Sequence, residues 1–269
     1  MKKHDNVKLI VVPDVHGRTF WEDVFKYDTE IVFLGDYLDP YLYENIFPWD
    51  ALDNFTHILT FAKKNPNVHL LLGNHDLTYA IGPRICRSRM DRANYDEIRK
   101  LFLDHKELFS MAYDCTINGK TFFISHAGIT PGWYEQHSDL FDRSFSDTLC
   151  ANYINQLYFE GALNGVLGEI SGYRYGPNKF GSIVWADIYE HTEEQPDLKT
   201  DVIQIVGHSQ LLDYPLLVRQ NYFVYDVDIR QCVYLDSDGD LCFLKTGEKF
   251  VFDPRWVKVK SRHNVTTLL

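Results

Sequence analysis

The sequence predicts an α/β fold, and three observations lead there. Apolar runs of strand length alternate with stretches of helical period through the first third of the chain. Five apolar runs end in a small polar cluster built around Asp or His, as strands do when the carboxyl ends of an open sheet carry a site. The 269 residues are 45% apolar, enough for a sizeable core, and no linker-like stretch separates the five clusters. We therefore expect one domain over residues 1–269.

Taken in order, the first strand is Lys8–Val12, ending in Pro13-Asp14-Val15-His16-Gly17, with a helix expected over Thr19–Tyr27. Ile31–Leu34 is the second, ending in Gly35-Asp36-Tyr37-Leu38-Asp39. A helix from about Trp49 to Lys64 follows, because Leu52, Phe55, Ile58, Leu59 and Ala62 recur near helical spacing and Asn65-Pro66-Asn67 stops it. Val68–Leu72 is the third strand, ending in Gly73-Asn74-His75-Asp76, and a helix is expected over Tyr95–Phe109. Alternation of this kind implies mostly parallel pairing. Tyr113–Ile117, Asn118-Gly119 and Thr121–Ile124 read as a hairpin that runs into Ser125-His126-Ala127-Gly128. Trp133–Phe180, rich in aromatics and glycine, is expected to be an irregular cap or insertion (about 133–180) over the site. The end is strand-rich: Val202–Val206 before Gly207-His208-Ser209-Gln210, then Tyr222–Tyr225, Cys232–Leu235 and Leu241–Leu244. Asp236-Ser237-Asp238-Gly239-Asp240 looks superficially like a calcium loop but lacks the downstream Glu, and Asp-Gly between strands makes a hairpin turn.

Composition narrows the function. A net charge of −11 disfavours non-specific nucleic-acid binding and anionic membranes, both of which need basic patches. Nucleotides stay open, because bound cations can invert the local charge. No run approaches a membrane span, and Met1–Asp5 leads into no signal-peptide core. The five cysteines (86, 115, 150, 232, 242) show no C-x-x-C spacing and read as free thiols, so a cytoplasmic protein is expected.

The five clusters share one chemistry. Asp14 and His16 are two apart, so a strand end can present both to one ion. Asp36 has two oxygens and can bridge two cations. Asp39 falls on the same side of the turn. Asn74 offers a carbonyl oxygen, and His75, His126 and His208 offer imidazoles. Each alone has an ordinary structural explanation. Five strand ends delivering oxygen and nitrogen ligands to one rim suggest a polynuclear metal site; imidazole and carboxylate ligands fit Mn, Fe or Zn, and the absence of Cys argues against a thiolate site.

In this order, D-x-H-G, G-D-x-x-D, G-N-H-D, S-H-A-G and G-H resemble the calcineurin-like metallophosphoesterases, and within them the phosphoprotein phosphatase branch. Gly35–Asp39 is similar to that branch's G-D-Y-V-D, and Val184-Trp185-Ala186-Asp187 to its W-x-D element. The resemblance covers about Lys8 to Asp228. It implies a central β-sandwich of two mixed sheets flanked by helices, with two divalent ions at one rim. Asp14, His16 and Asp36 would hold one ion; Asp36, Asn74, His126 and His208 would hold the other. His75 would be the general acid, oriented by Asp39, and a metal-bridging water would attack phosphorus.

Two departures from the pattern matter. Where the wider family has a second His in G-H-x-H, this chain has Gln210, which leaves the first ion three protein ligands plus water or the Gln210 oxygen; weaker retention is expected. Where the branch has D-R-G, this chain has Asp39-Pro40-Tyr41, so another cation must grip phosphate. Arg18 and Arg174 are the candidates, with Arg84, Arg87 and Arg89 as a further basic patch. The expected function is hydrolysis of a phosphomonoester from a phosphoprotein or small molecule. Dinucleoside polyphosphate or phosphodiester hydrolysis, and a non-catalytic metal-binding scaffold, are the alternatives.

Overall fold

The computed structural model describes residues 6–83, 89–192, 198–211, 216–219 and 223–250. Along the chain come β1 (Val7–Val12), β2 (Glu30–Phe33), α1 (Pro48–Lys64), β3 (Val68–Leu71), α2 (Asn74–Ala80), α3 (Tyr95–Asp104) and β4 (Phe109–Ser110). There follow β5 (Ala112–Ile117), β6 (Lys120–Ser125), α4 (Pro131–Gln136), α5 (Phe145–Thr148) and α6 (Ala151–Phe159). The last elements are β7 (Ile203–Val206), β8 (Leu216–Arg219), β9 (Phe223–Asp226), β10 (Val233–Asp236) and β11 (Leu241–Phe243).

The strands form two mixed sheets, ordered β11-β10-β1-β2-β3-β4 and β5-β6-β7-β9-β8. β1 through β4 pair in parallel, while β10 and β11 join antiparallel at the β1 edge. In the second sheet, β6, β7 and β9 are parallel, with antiparallel β5 and β8 at its edges. Period-two alternation sorts the core. Leu9, Val11, Val32, Leu34 and Leu71 pack between the sheets with Phe122, Ile124 and Ile205. Ile10, Val12, Ile31, Phe33 and Leu70 face the other way and join Trp21, Phe55, Ile58 and Phe102 beneath the helices. Each such side chain contributes roughly 1.5–3 kcal/mol of burial.

Several expectations are corrected. Over Thr19–Tyr27 the chain forms a 3₁₀ segment, Phe20–Lys26, whose buried residues Trp21 and Val24 are three apart and so suit three residues per turn. The Tyr95–Phe109 helix stops at Asp104, and Phe109 turns extended to pair with the edge of β3 and enter the core. The segment expected to be irregular from Trp133 to Phe180 carries the end of α4, α5, α6 and two 3₁₀ turns between irregular stretches. Thr130 caps α4 through its hydroxyl (3.1 Å to Trp133 N–H), Ser144 caps α5 (3.2 Å to Asp147 N–H), and Trp133, Ile154, Leu163 and Leu167 are core residues. Strand β8 was not expected, and neither was α2. Of the last strands, Tyr222 lies outside the described residues, and the next three residues belong to β9. Asp236–Asp240 makes the expected hairpin. Asp236 Oδ1 accepts the N–H groups of Asp238 (2.9 Å) and Asp240 (3.0 Å). The Lys249 ammonium stands 3.0–3.8 Å from the three carboxylates.

Candidate metal centre

The carboxyl ends of β1, β2, β3, β6 and β7 converge on one rim; Asp14, His16, Asp36, Asn74, His126 and His208 are buried there, whereas Gln210 is exposed. Two constellations of donor atoms form there: Asp14, Asp36, His126 and His208, and His16, Asp36 and His75, with Asp36 in both. The backbone is strained to do this. His16, Asp36, Asp39, His208 and Gln210 all have positive φ, between 46° and 75°. Such conformations cost about 1 kcal/mol or more each and gather at functional sites. Gly73 is needed for close approach rather than for strain: its φ is −94°, and a Cβ there would stand 2.8 Å from His126 Cε1 and closer still to Asp36 Oδ1.

Two imidazoles are fixed in orientation. His126 Nδ1 donates to the Leu34 carbonyl (2.8 Å) and His16 Nδ1 to the Leu38 carbonyl (2.9 Å). Each therefore turns the lone pair of Nε2 into the cluster. His126 Nε2 meets Asn74 Oδ1 at 3.0 Å and His208 Nδ1 at 3.2 Å. Asp36 Oδ2 lies between the two rings, 3.5 Å from His16 Nε2 and 3.7 Å from His126 Nε2, while its Oδ1 accepts the His75 N–H at 2.9 Å. Asp14 Oδ1 accepts the His208 N–H at 3.1 Å. With the His126 tautomer set by Leu34, lone pairs of nitrogen and oxygen face each other in a buried space. Cations satisfy such a set, and the residues fit a pair of divalent ions sharing Asp36.

Electrostatics agree. Burial pushes His16 down to about 3 and His208 well below the ordinary range, the latter with help from Arg174, so both rings are neutral and available as ligands. Asp14 is raised to about 6 by burial, whereas the imidazoles of His126, His75 and His16 outweigh burial at Asp36 and lower it. His75 goes the other way from its neighbours. Burial opposes its charge, but Asp36 and the hydrogen bond to Asp39 prevail and raise its pKa. His75 Nδ1 is 2.8 Å from Asp39 Oδ2, and Asp39 Oδ1 accepts from Tyr79 Oη at 2.6 Å.

The remaining candidates separate. Arg174 and Gln210 line the same cavity of about 320 Å³ as the cluster. Arg174 is anchored, Nη2 to His208 O at 2.7 Å and Nε 2.7 Å from Asp187 Oδ2. Gln210 gives its amide to the Tyr41 hydroxyl. Arg18, expected as a phosphate grip, turns elsewhere: its fork is spent on Glu44 at 2.7 and 3.0 Å, because that carboxylate is the nearer bidentate partner. Arg89 does line the cavity, with its guanidinium 3.9 Å over the Tyr41 ring and Nη2 3.0 Å from Asp39 O. Arg84 and Arg87 lie outside the described residues.

Three contributors escape a reading by cluster alone. Asp76 accepts three backbone N–H groups, from Gly73 (2.8 Å), Asp36 (2.7 Å) and Tyr37 (3.2 Å), and so clamps the ends of β2 and β3 together. Tyr79 steadies Asp39, and Asp187 steadies Arg174. Asp76 sits three residues after Gly73, the helix-capping interval that would have betrayed both its role and α2.

This fold and site define a class. The family profile of the calcineurin-like phosphoesterases matches residues 7–243, and the chain belongs to that family. It is thus a metal-dependent phosphoesterase, a hydrolase whose family works with two divalent metal ions. Two solved structures are distantly similar. One is a hypothetical protein of Pyrococcus horikoshii OT3 (12% identity, TM-score 0.40, 93% of this chain and 90% of that one). The other is a metallophosphoesterase from Sphaerobacter thermophilus (11%, 0.37, 87% and 85%). No curated protein sequence matches the chain. Among the described residues, no helix is long and apolar enough to cross a membrane.

Proposed function

We propose that the chain hydrolyses a phosphomonoester at a two-ion centre held by Asp14, His16, Asp36, Asn74, His126 and His208. The observation that carries this is the set of lone pairs turned on one another around Asp36 Oδ2, beside a His75 raised in pKa by its acidic neighbours. Two bound divalent ions would supply acidity to a water nucleophile at neutral pH and positive charge to the phosphoryl oxygens. Asp36 would be shared between the ions, and its second oxygen is already fixed by His75 N–H. His75 would hold a proton on Nε2 and pass it to the leaving oxygen, while Asp39 keeps the ring charged and oriented. Arg174 and Arg89 would contact the equatorial oxygens in place of the arginine absent at Pro40. Arg174 is held at a fixed place by Asp187 and the His208 carbonyl, which suits such a contact.

The test is a panel of phosphopeptides, nucleotides, diadenosine tetraphosphate and bis-p-nitrophenyl phosphate with Mn, Zn and Mg. Monoesters should turn over best. His75→Asn should keep metal and lose about 10²–10⁴-fold in rate on alkyl esters. Preference for the diester would move the assignment to a phosphodiesterase, and turnover of nothing with any metal would leave a scaffold.

A further inference from the structure

We infer that Tyr175 forms a recognition wall beside the metal centre, and that the substrate carries a planar aromatic group close to its phosphate. This rests on the phosphoesterase reading above and deepens it. Tyr175 lines the same cavity as Asp14, His75, His126's partner His208 and Arg174, yet its side chain is 99% exposed. A fully solvated ring gains nothing from the core, and its backbone is unfavourable too, at φ 62° in the left-handed region. Neither packing nor local propensity accounts for a tyrosine there.

The turn that carries it is rigid. Ser171 O accepts from Arg174 N–H (3.0 Å) and Gly176 N–H (2.8 Å), and Tyr175 N–H donates to Gly172 O (3.2 Å). The Ser171 hydroxyl is bonded to the buried Glu190, whose other oxygen accepts the Gly181 N–H at 2.8 Å. Gly176 packs so tightly that a Cβ would stand 2.0 Å from the Ile170 carbonyl. Arg174, one residue earlier, is tied to Asp187 and to the backbone of His208. The ring is therefore displayed at a set position next to a cation suited to phosphate. Stored strain and a costly exposure on an ordered turn are features that substrate contact explains. On another wall of the cavity, Tyr41 is already engaged, with Arg89 over its ring and His16 at its edge (5.0 Å, 75°). Trp185 also lines the cavity, but it is buried and stands edge-on to His208 (5.6 Å, 86°). Among the described residues, that leaves Tyr175 as the exposed aromatic face offered to a ligand, and stacking is sequence-tolerant chemistry open to a nucleobase or a simple aryl group.

Two matched pairs of monoesters test this with the manganese-loaded protein: AMP against ribose 5-phosphate, and benzyl against cyclohexylmethyl phosphate. Within each pair the leaving oxygen is alike and only the planar group differs. We expect kcat/KM to favour the planar member by about ten-fold or more, the scale of a single stacking contact. An advantage confined to the first pair would identify a nucleotide, and one in both pairs a general aromatic phosphoester. Tyr175→Ala should erase the advantage by lowering kcat/KM for the planar members more than for their partners, and Tyr175→Phe should keep it. Tyr175→Gly should erase it with a melting midpoint no lower than the parent's, since glycine relieves the left-handed strain. Equal rates within both pairs, or an advantage that survives Tyr175→Ala, would overturn the inference. Calorimetric binding of AMP and ribose 5-phosphate needs no turnover. If binding discriminates through Tyr175 but nothing is hydrolysed, the proposed function fails and this inference stands.

Discussion

Asp76→Ala should damage the protein more than removal of any single candidate ligand. Its carboxylate receives the N–H groups of Gly73, Asp36 and Tyr37 at 2.8, 2.7 and 3.2 Å, and it is fully buried. Alanine leaves three buried donors without an acceptor and opens space that water cannot readily fill. Each orphaned donor costs roughly 1–3 kcal/mol, so a loss of about 3–9 kcal/mol is expected. That is a large part of the 5–15 kcal/mol typical of a folded protein. Asp76→Asn should fall between, because its single oxygen can serve Asp36 and Gly73 while its amide confronts the Tyr37 N–H. The assay is urea unfolding of the metal-free proteins, with Asp104→Asn as a comparator whose exposed carboxylate pairs with Lys100 at the same helix end. Metal content should fall as well, since Asp36 loses the bond that holds its strained backbone. An Asp76→Ala protein within about 1 kcal/mol of the parent would refute the clamp.

Other outcomes follow from the same geometry. Arg18→Ala should lower stability by about 1–3 kcal/mol, because it strands a mostly buried Glu44 still partly met by Arg230 at 3.2 Å. Its KM for phosphoester should stay near the parent's, whereas Arg89→Ala and Arg174→Ala should raise theirs; a large KM change in Arg18→Ala alone would reverse that assignment. Burial pushes the Asp226 carboxyl up to about 8, so the folded state holds a proton that the unfolded chain releases near pH 4. That stability is present below the unfolded pKa and is lost as pH rises towards 8. Relative to Asp226→Asn, the metal-free parent should lose about 1.4 kcal/mol per pH unit across that window, and parallel stability curves for the two would contradict it. On graded chelation, one ion should leave before the other, since Gln210 stands exposed where a second imidazole would complete the smaller ligand set.

The site was legible because its chemistry is written at strand ends, where a few consecutive residues decide what reaches the rim. Asp14 and His16, and Asn74 and His75, needed only local geometry to be placed on one cavity, although Asp14 falls in the constellation of His126 and His208 and His16 in that of His75. What stayed hidden depends on partners far along the chain. Arg18 read as a phosphate ligand until Glu44, 26 residues on, took its fork. The helical content of 133–180 was masked because α4 and α5 are only six and four residues long, too short to show a period, and rest on caps and on Trp133 and Phe145 in the core. Strand β4 is two residues long and exists because β3 offers an edge. Helix α2 begins inside a polar cluster, with Asp76 closing its first turn.

The proposed chemistry depends on five strand ends assembling a site for two ions around one shared carboxylate. Anomalous diffraction from manganese-soaked crystals tests it most directly. Two peaks are expected, one against Asp14, His16 and Asp36 and the other against Asp36, Asn74, His126 and His208, with Asp36 touching both. A single peak, or two peaks with Asp36 on neither, would contradict it.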